Sequence, residues 1–406
     1  MIKKILKLTA RLLGIVVALF SIYLANLFLM KPYSIDHYLG KELILGLVDS
    51  PEALTYVGIL DRFNWLTKHN SRLSIPEEND LEEGIKELEK GIKTLYKYKD
   101  SSLTDVQKVT KKIAIFDLEN NLKELKEFPY LDYPLNQIGG IHLNTIEFMS
   151  DMHPVRTKSE ANDFIKRVEL IKDVYEGTLK DLEKQANSGI YPPEFVYGHV
   201  INQLNDFINY SFEEHPLYTQ FMMKVKELNI TDKELDDFDK RIKKAIEESV
   251  TPGFKLLLEF MERTKKNANK NHGIWSQPGG DDYYKLRIRT YTTTDYTPEF
   301  IHQTGLSEVE RITNRMREIL TSLGYDTSKS VGQLMNELNE NPDFLYADTP
   351  DRKEIIVNDY TEMVNEAIEV MTEYFHTMPK SDVVVKAVPE YSEQTAAGGY
   401  YQAPAL

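Results

Sequence analysis

From Leu81 to Leu95 apolar residues return every three or four positions, at Leu81, Ile85, Leu88, Ile92 and Leu95, on a charged background. That spacing lines them up along one side of an α-helix, because 3.6 residues complete a turn. The echo "GIKELEK" then "GIKTLYK" inside this stretch is too short to indicate a repeat architecture.

Helix punctuation recurs downstream. Thr157 with Glu160 forms a capping-box pattern ahead of Phe164, Val168, Ile171, Tyr175 and Leu182, with Gly189 as the stop and Pro192 and Pro193 enforcing it. Thr231 with Glu234 opens a second such helix, with a kink expected at Pro252 and Gly253. Further starts are expected at Ser307, paired with Glu310, and at Thr349 as N-cap before Pro350. Strand signals are few: "YYKLRIRTYTTT", residues 283 to 294, alternates and is rich in threonine and aromatics, and "DVVVKAV", 382 to 388, is a short β-branched run. The expected class is mostly α: a multi-helix assembly with a small β element.

The N-terminus carries a separate signal. Lys3, Lys4, Lys7 and Arg11 precede an apolar run from Leu12 to Met30, close to the roughly 20 residues that cross a hydrocarbon core. The basic cluster favours a cytoplasmic start and an exported remainder. Residues 1–34 are thus expected to be a cytoplasmic stub and transmembrane signal anchor, with the lipid bilayer met through residues 12–30, and residues 35–406 a helical extracytoplasmic region. A cleaved signal peptide, giving a secreted or periplasmic product, is the alternative.

Charge and cysteine content exclude other classes. With 64 acidic and 49 basic residues the formal charge is −15, which repels nucleic-acid phosphates, so no nucleic-acid partner is expected. Zero cysteines rule out disulfides, thiolate zinc sites, thiol nucleophiles and a lipidated cysteine in this chain.

The chain also lacks the common catalytic signatures. None of the nine histidines is followed by Glu, so the His-Glu-x-x-His arrangement, in which two imidazoles grip zinc and a carboxylate takes the proton, cannot be drawn. Glu299 with His302 and Glu373 with His376 have the i, i+3 spacing of di-metal bundles, but a Glu-rich chain produces such pairs by chance at helix ends. There is no Gly-x-Ser-x-Gly elbow, and the paired glycines of "QIGGIH" and "QPGGDD" lack phosphate-loop spacing and read as tight turns.

Three stretches carry a resemblance. "YPLNQIGGIH" (133 to 142), "GIWSQPGGDDYYKLRIRTYTTTDYTPEFIHQTGLSEVERI" (273 to 312) and the tail "AAGGYYQAPAL" closely resemble the bacterial family called domain of unknown function 885. The resemblance runs from about residue 35 to the last residue. It implies a helical fold similar to carboxypeptidase Taq-like zinc metallopeptidases, with helices around a deep cleft, and a hydrolase activity. In that family a His-Glu-x-x-Pro-Gly-His-His helix, C-terminal to the tract reading "YYQAPAL" here, looks like the zinc site. This chain stops at Leu406, so the resemblance implies the N-terminal two thirds of a family member, truncated before the zinc-binding helix. No catalytic or metal-ligating residue carries over, and no cofactor is expected in this chain, although zinc is implied for a full-length member.

The segment 273–302 is the expected groove for a peptide substrate. As a strand, 283–294 would offer unpaired backbone to an extended peptide. The Gly279-Gly280 turn would allow close approach, Tyr283 would open the strand, and Arg287 or Arg289 could meet a substrate carboxylate. His302 completes the candidate set. A hairpin capping the helical core, with Trp275 as a packing anchor, explains the same residues without a ligand. Three functions remain in view: an anchored, exported portion of a zinc-metallopeptidase-like hydrolase, inactive without its zinc ligands; a non-catalytic peptide-binding module; and a helical scaffold at the membrane.

Overall fold

The computed structural model describes residues 2–388, 393 and 398–401, with the side chains of residues 2–10 and 12 left aside. It consists of helices joined by short loops and 3₁₀ turns, and the described residues contain no strand. The chain divides into two compact units, Met1–Thr290 and Tyr291–Pro404.

The first unit opens with α1 (Ile2–Leu29), α2 (Ile35–Asp49), α3 (Pro51–Val57), the single turn α4 (Asn64–Thr67), α5 (Asp80–Tyr96) and α6 (Asp105–Glu127). It continues through α7 (Ile141–Glu147), α8 (Lys158–Asn187), α9 (Glu194–Asn209), α10 (Pro216–Lys226), α11 (Asp232–Ala245) and α12 (Thr251–Thr264) to α13 (Gly280–Thr292). At the centre lies α8, whose Phe164, Ile165, Val168, Ile171 and Tyr175 are fully buried. Each such side chain contributes roughly 1.5–3 kcal/mol through removal from water. Aromatic pairs extend this core: Phe164 stacks on Phe221 at 4.8 Å, and Phe207 on Phe254 at 4.9 Å. A Cβ at Gly253 would stand 2.8 Å from the Tyr175 ring, so glycine lets α12 lie close against α8.

A buried cation ties this core to the N-terminal helices. Arg167 on α8 is fully buried and donates to the carbonyls of Arg72 (2.8 Å), His69 (2.8 Å) and Pro51 (3.2 Å), to Thr55 Oγ1 (2.7 Å) and to His153 Nδ1 (2.9 Å). Burial pulls its pKa down to about 10, which leaves it charged at neutral pH. His153 accepts on Nδ1 and donates from Nε2 to the Glu160 carbonyl. Burial first, and the facing guanidinium second, hold its pKa well below the usual imidazole value.

Several local expectations hold at atomic detail. The apolar stripe from Leu81 to Leu95 lies on α5, with Leu95 buried against Ile35, Tyr38 and Tyr98. Thr231 and Glu234 form a complete capping box on α11. Thr157 caps α8, but Glu160 reaches one residue further back, to the Arg156 N–H at 2.6 Å. Ahead of Pro252 and Gly253, where a kink was expected, the helix passes through a π-helical segment over Ile246–Val250 and continues as α12.

Others are corrected. The expected strand at 283–294 is the helix α13 followed by a turn, and residues 382–388 are unpaired, irregular chain. A strand needs a partner to satisfy its backbone, and no sheet exists among the described residues to supply one. The helix expected to begin at Ser307 begins nine residues earlier, because Thr297 caps it and Pro298 occupies its first position. Ser307 lies inside it, its hydroxyl bonded to the Gln303 carbonyl. Thr349 is not an N-cap either; the last helix starts at Arg352 after Asp351.

Among the described residues no helix is long and apolar enough to cross a membrane, so the expected transmembrane helix is not met there. Most of residues 12–30 form the second half of α1, but the side chain of Leu12 lies outside the described ones. From Leu13 onward this part of α1 is apolar, and most of its large side chains are exposed.

The second unit comprises α14 (Pro298–Ser322), α15 (Val331–Glu340) and α16 (Arg352–Met371). A small cluster of Leu320, Val331 and Leu334, with Met316, Tyr325, Met335 and Leu338 around it, packs α15 on the end of α14.

Candidate functional site

The helix α13 begins where the turn chemistry allows it. Gly279 has φ +75°, which favours glycine, and a Cβ on Gly280 would lie 1.8 Å from the Ile274 carbonyl oxygen. Asp281 and Asp282 then sit in the first turn, where acidic side chains oppose the positive end of the helix dipole. Asp282 also bonds Lys285 at 2.8 Å, an i, i+3 pair. At helical spacing Tyr283 and Leu286 fall on one side and pack with Phe128, Leu131 and Ile190. Tyr284, which strand alternation would have grouped with Leu286 and Ile288, is exposed while those two are buried.

Both candidate arginines are engaged by α6. Arg287 Nη1 donates to the Glu124 carboxylate at 3.1 and 3.4 Å, and Tyr283 Oη donates to the same group at 3.2 Å. Arg289 Nε donates to Asn120 Oδ1 at 3.3 Å, and its guanidinium lies 4.9 Å from the centre of the Phe116 ring. Positions 116, 120 and 124 are successive turns of one face, read in reverse order by 289 and 287. The two helices therefore run antiparallel, zipped by side chains. Burial and the Glu124 charge push the Tyr283 phenol up to about 12, so it stays a hydrogen-bond donor.

The stretch 133–142 is a loop leading into the first turn of α7, braced from within. Asn136 Oδ1 accepts from the N–H groups of Ile138 (3.0 Å) and Gly139 (2.8 Å), and Ile141 N–H reaches the Pro134 carbonyl at 2.9 Å. Three glutamines, of which Gln185 and Gln277 are buried, fasten this stretch and the residues just before it to the body. Gln185 Nε2 bridges the carbonyls of Tyr130 and Asp132, both at 2.7 Å. Gln277 Nε2 donates to Tyr133 Oη at 2.8 Å and to the Tyr191 carbonyl at 2.6 Å. Gln203 donates to the Gln137 carbonyl and meets His142 Nε2 at 3.0 Å. Burial draws the His142 pKa down to about 4, so its ring is neutral.

Thus "YPLNQIGGIH" and the first part of the long second stretch form one interlocked wall. Beside it opens a cleft of about 240 Å³ lined by Glu77, Glu78, Asp80, Tyr130, Asp132, Asp181 and Lys184, among others. Its rim is carboxylate-rich, and Lys184 is paired with Asp181 at 3.2 Å. Among the described residues no three His, Asp or Glu side chains are grouped so as to hold a metal ion.

Of the candidate residues, Gly279, Gly280, Tyr283, Arg287 and Arg289 are brought together at the start and along the length of α13. His302 belongs to the second unit, exposed on α14, three residues after Glu299, which accepts from Gln303 at 2.9 Å. Of the tail 396–406, only residues 398–401 are described. Sequence reasoning missed Gln185, Gln203, Gln277, Asn136 and Glu124. Their partners lie 53 or more residues away, except for the local bonds of Asn136, and a lone buried amide has no periodic signature.

Over residues 51–406 the chain matches the family described as "Bacterial protein of unknown function (DUF885)". Among solved structures, one described as a "putative lipoprotein from Colwellia psychrerythraea" superposes with a TM-score of 0.80 at 25% identity, over 88% of this chain and 62% of that one. Another, described as a "putative lipoprotein of unknown function from Shewanella oneidensis", gives 0.50 at 16% identity, over 84% and 61%, and bears on the fold alone. The chain therefore spans less than two thirds of the length of either. No curated protein matches.

Proposed function

Because the chain belongs to the DUF885 family of bacterial proteins, we propose that it is the anchored, exported, wall-forming portion of a zinc-metallopeptidase-like hydrolase whose zinc ligands come from outside this chain. The observation that carries this reading is the interlocked wall itself. Hydrogen bonds join its two stretches, and it borders a cleft. Similarity to a "putative lipoprotein" supports export and membrane association. A lipoprotein is anchored through a modified cysteine, which this chain does not have; the apolar helix α1 would take that role, as a signal anchor over residues 12–30.

The test is a peptide-cleavage assay with and without a chelator. The purified chain alone should show no chelator-sensitive cleavage, whereas a longer family member carrying the His-Glu-x-x-Pro-Gly-His-His helix should show it. Chelator-sensitive turnover by this chain alone would overturn the proposal. A non-catalytic peptide-binding role is the second reading, favoured by the carboxylate rim of the cleft at Asp132 and Asp181, which suits a basic peptide. Calorimetric titration with a lysine-rich peptide separates it from a plain scaffold, which would give no saturable heat.

A further inference from the structure

The first unit carries an apolar surface that its own fold does not cover. In the second half of α2, Leu43, Ile44, Leu45 and Val48 are all exposed, although they point in different directions around the helix. They make a broad apolar face, opposite the exposed charges of Glu42 and Asp49, and such an amphipathic helix suits an interface between water and lipid. Past α3, Ile59, Phe63, Trp65 and Leu66 project outward, with Trp65 74% and Leu66 68% exposed.

This second group sits on a rigid base. Asn64 Nδ2 donates to Asp163 at 2.8 Å, and its Oδ1 accepts from the Asn70 N–H at 3.0 Å. His69 meets Thr67 Oγ1 at 2.6 Å and Asp61 at 3.3 Å, while Asp61 is also paired with Arg156. The His69 carbonyl is one of the acceptors of buried Arg167. A loop braced this firmly cannot fold its apolar side chains inward, so their exposure is built in.

The exit of α1 is fixed as well. Asn26 Nδ2 donates to the Lys31 carbonyl at 3.1 Å, and its Oδ1 accepts from the Tyr33 N–H at 3.0 Å. Tyr98 Oη donates to the Pro32 carbonyl at 2.7 Å, and Lys31 lies over the Tyr98 ring. No slack tether separates α1 from the body. If α1 enters a bilayer, the surface around its exit is held against the headgroups.

We propose that Leu43, Ile44 and Val48 of α2, together with Phe63, Trp65 and Leu66, form an interfacial membrane contact that seats the body on the bilayer beside α1. The chemistry matches that partner: a Trp and a Phe at the level of the headgroups, aliphatic side chains reaching the acyl boundary, and the cations of Arg62 and Lys68 flanking the loop. This inference rests on the reading of α1 as an anchor and adds a second, peripheral attachment to it.

The test uses the full chain with Trp275→Phe, which leaves Trp65 as the sole tryptophan of the two. The protein is reconstituted into phosphatidylethanolamine and phosphatidylglycerol vesicles with or without brominated acyl chains. Trp65 emission should shift to the blue and fall about twofold or more in brominated vesicles. The reciprocal Trp65→Phe variant, reporting Trp275, should show neither change. Incorporated protein whose Trp65 remains unquenched and open to iodide overturns this inference while leaving the anchor reading intact. A Trp65 that is unquenched yet shielded from iodide also overturns it, and points to a second copy or another protein on the surface. Failure of the chain to incorporate at all overturns the anchor reading, and this inference with it.

Discussion

Gln277 Nε2 donates to Tyr133 Oη at 2.8 Å across 144 residues of sequence, joining two of the three stretches that carry the family resemblance. The same amide nitrogen donates to the Tyr191 carbonyl at 2.6 Å. One buried side chain therefore holds three segments in register. Replacing it with leucine keeps the volume and strands a buried carbonyl, so Gln277→Leu should cost about 1–3 kcal/mol in denaturant unfolding. A cost below the error of the measurement would show that the wall is held by apolar packing alone.

Arg167→Met should be far more damaging. It leaves the Arg72 carbonyl and His153 Nδ1 without their buried donor, while the Pro51 and His69 carbonyls keep only the Thr55 hydroxyl and the Arg72 N–H. Each buried acceptor stranded in this way typically costs about 1–3 kcal/mol. A drop in Tm with loss of protection in α3, read by hydrogen exchange, is the expected outcome.

Stability should fall on acidification between the ordinary histidine pKa and about 4. Burial lowers the pKa of both His142 and His215 to about 4, so the fold keeps them neutral while the unfolded chain takes up protons. The unfolded state binds more protons in that window, hence stability rises with pH through it, by up to about 3 kcal/mol per group. Neither ring nitrogen of His215 has a hydrogen-bond partner, and the ring packs against both Phe207 and Tyr210. His215→Leu should therefore flatten the pH dependence of the denaturation midpoint while changing stability little at pH 7. An unchanged slope would exclude His215 as a contributor.

Gly280→Ala should prevent α13 from starting where it does, because its Cβ would overlap the Ile274 carbonyl oxygen. A loss of several kcal/mol, or insoluble expression, is expected. Gly332→Ala on α15 has nothing within 4 Å of the new methyl group and should be neutral or stabilising by up to about 1 kcal/mol. Equal behaviour of the two variants in thermal unfolding would contradict the close approach at Gly280.

The Arg287–Glu124 pair is partly exposed, so its coupling should be modest. A double-mutant cycle with Arg287→Ala and Glu124→Ala should return about 0.5–1 kcal/mol. In a longer family member, replacing the matching arginine should change stability more than peptide turnover. The reverse result would restore it as a substrate contact.

The helical class was legible because periodicity and caps are local: the stripe of α5 and the box of Thr231 with Glu234 lie within a few residues of each other. The segment 283–294 was misread because Leu286 and Ile288 satisfy alternation while Tyr283 and Leu286 satisfy helical spacing. Threonines at 292–294 tilted that choice toward a strand and hid the Thr297-Pro298 helix start. What settles it is the neighbour, since α6 offers Glu124, Asn120 and Phe116 at helical intervals and no strand edge.

By itself the sequence determined a cysteine-free, acidic, helical chain without a His-Glu-x-x-His pair, because each of those properties belongs to residue identity or to spacings within a few turns. Only the tertiary structure decided that Arg287 and Arg289 bind α6, that Gln203 and Gln277 lock the loop before α7, and that Trp65 stands exposed on a braced loop. Those outcomes depend on partners tens to more than a hundred residues away, and whether a polar group finds a partner or faces water is fixed by packing in space rather than by order along the chain.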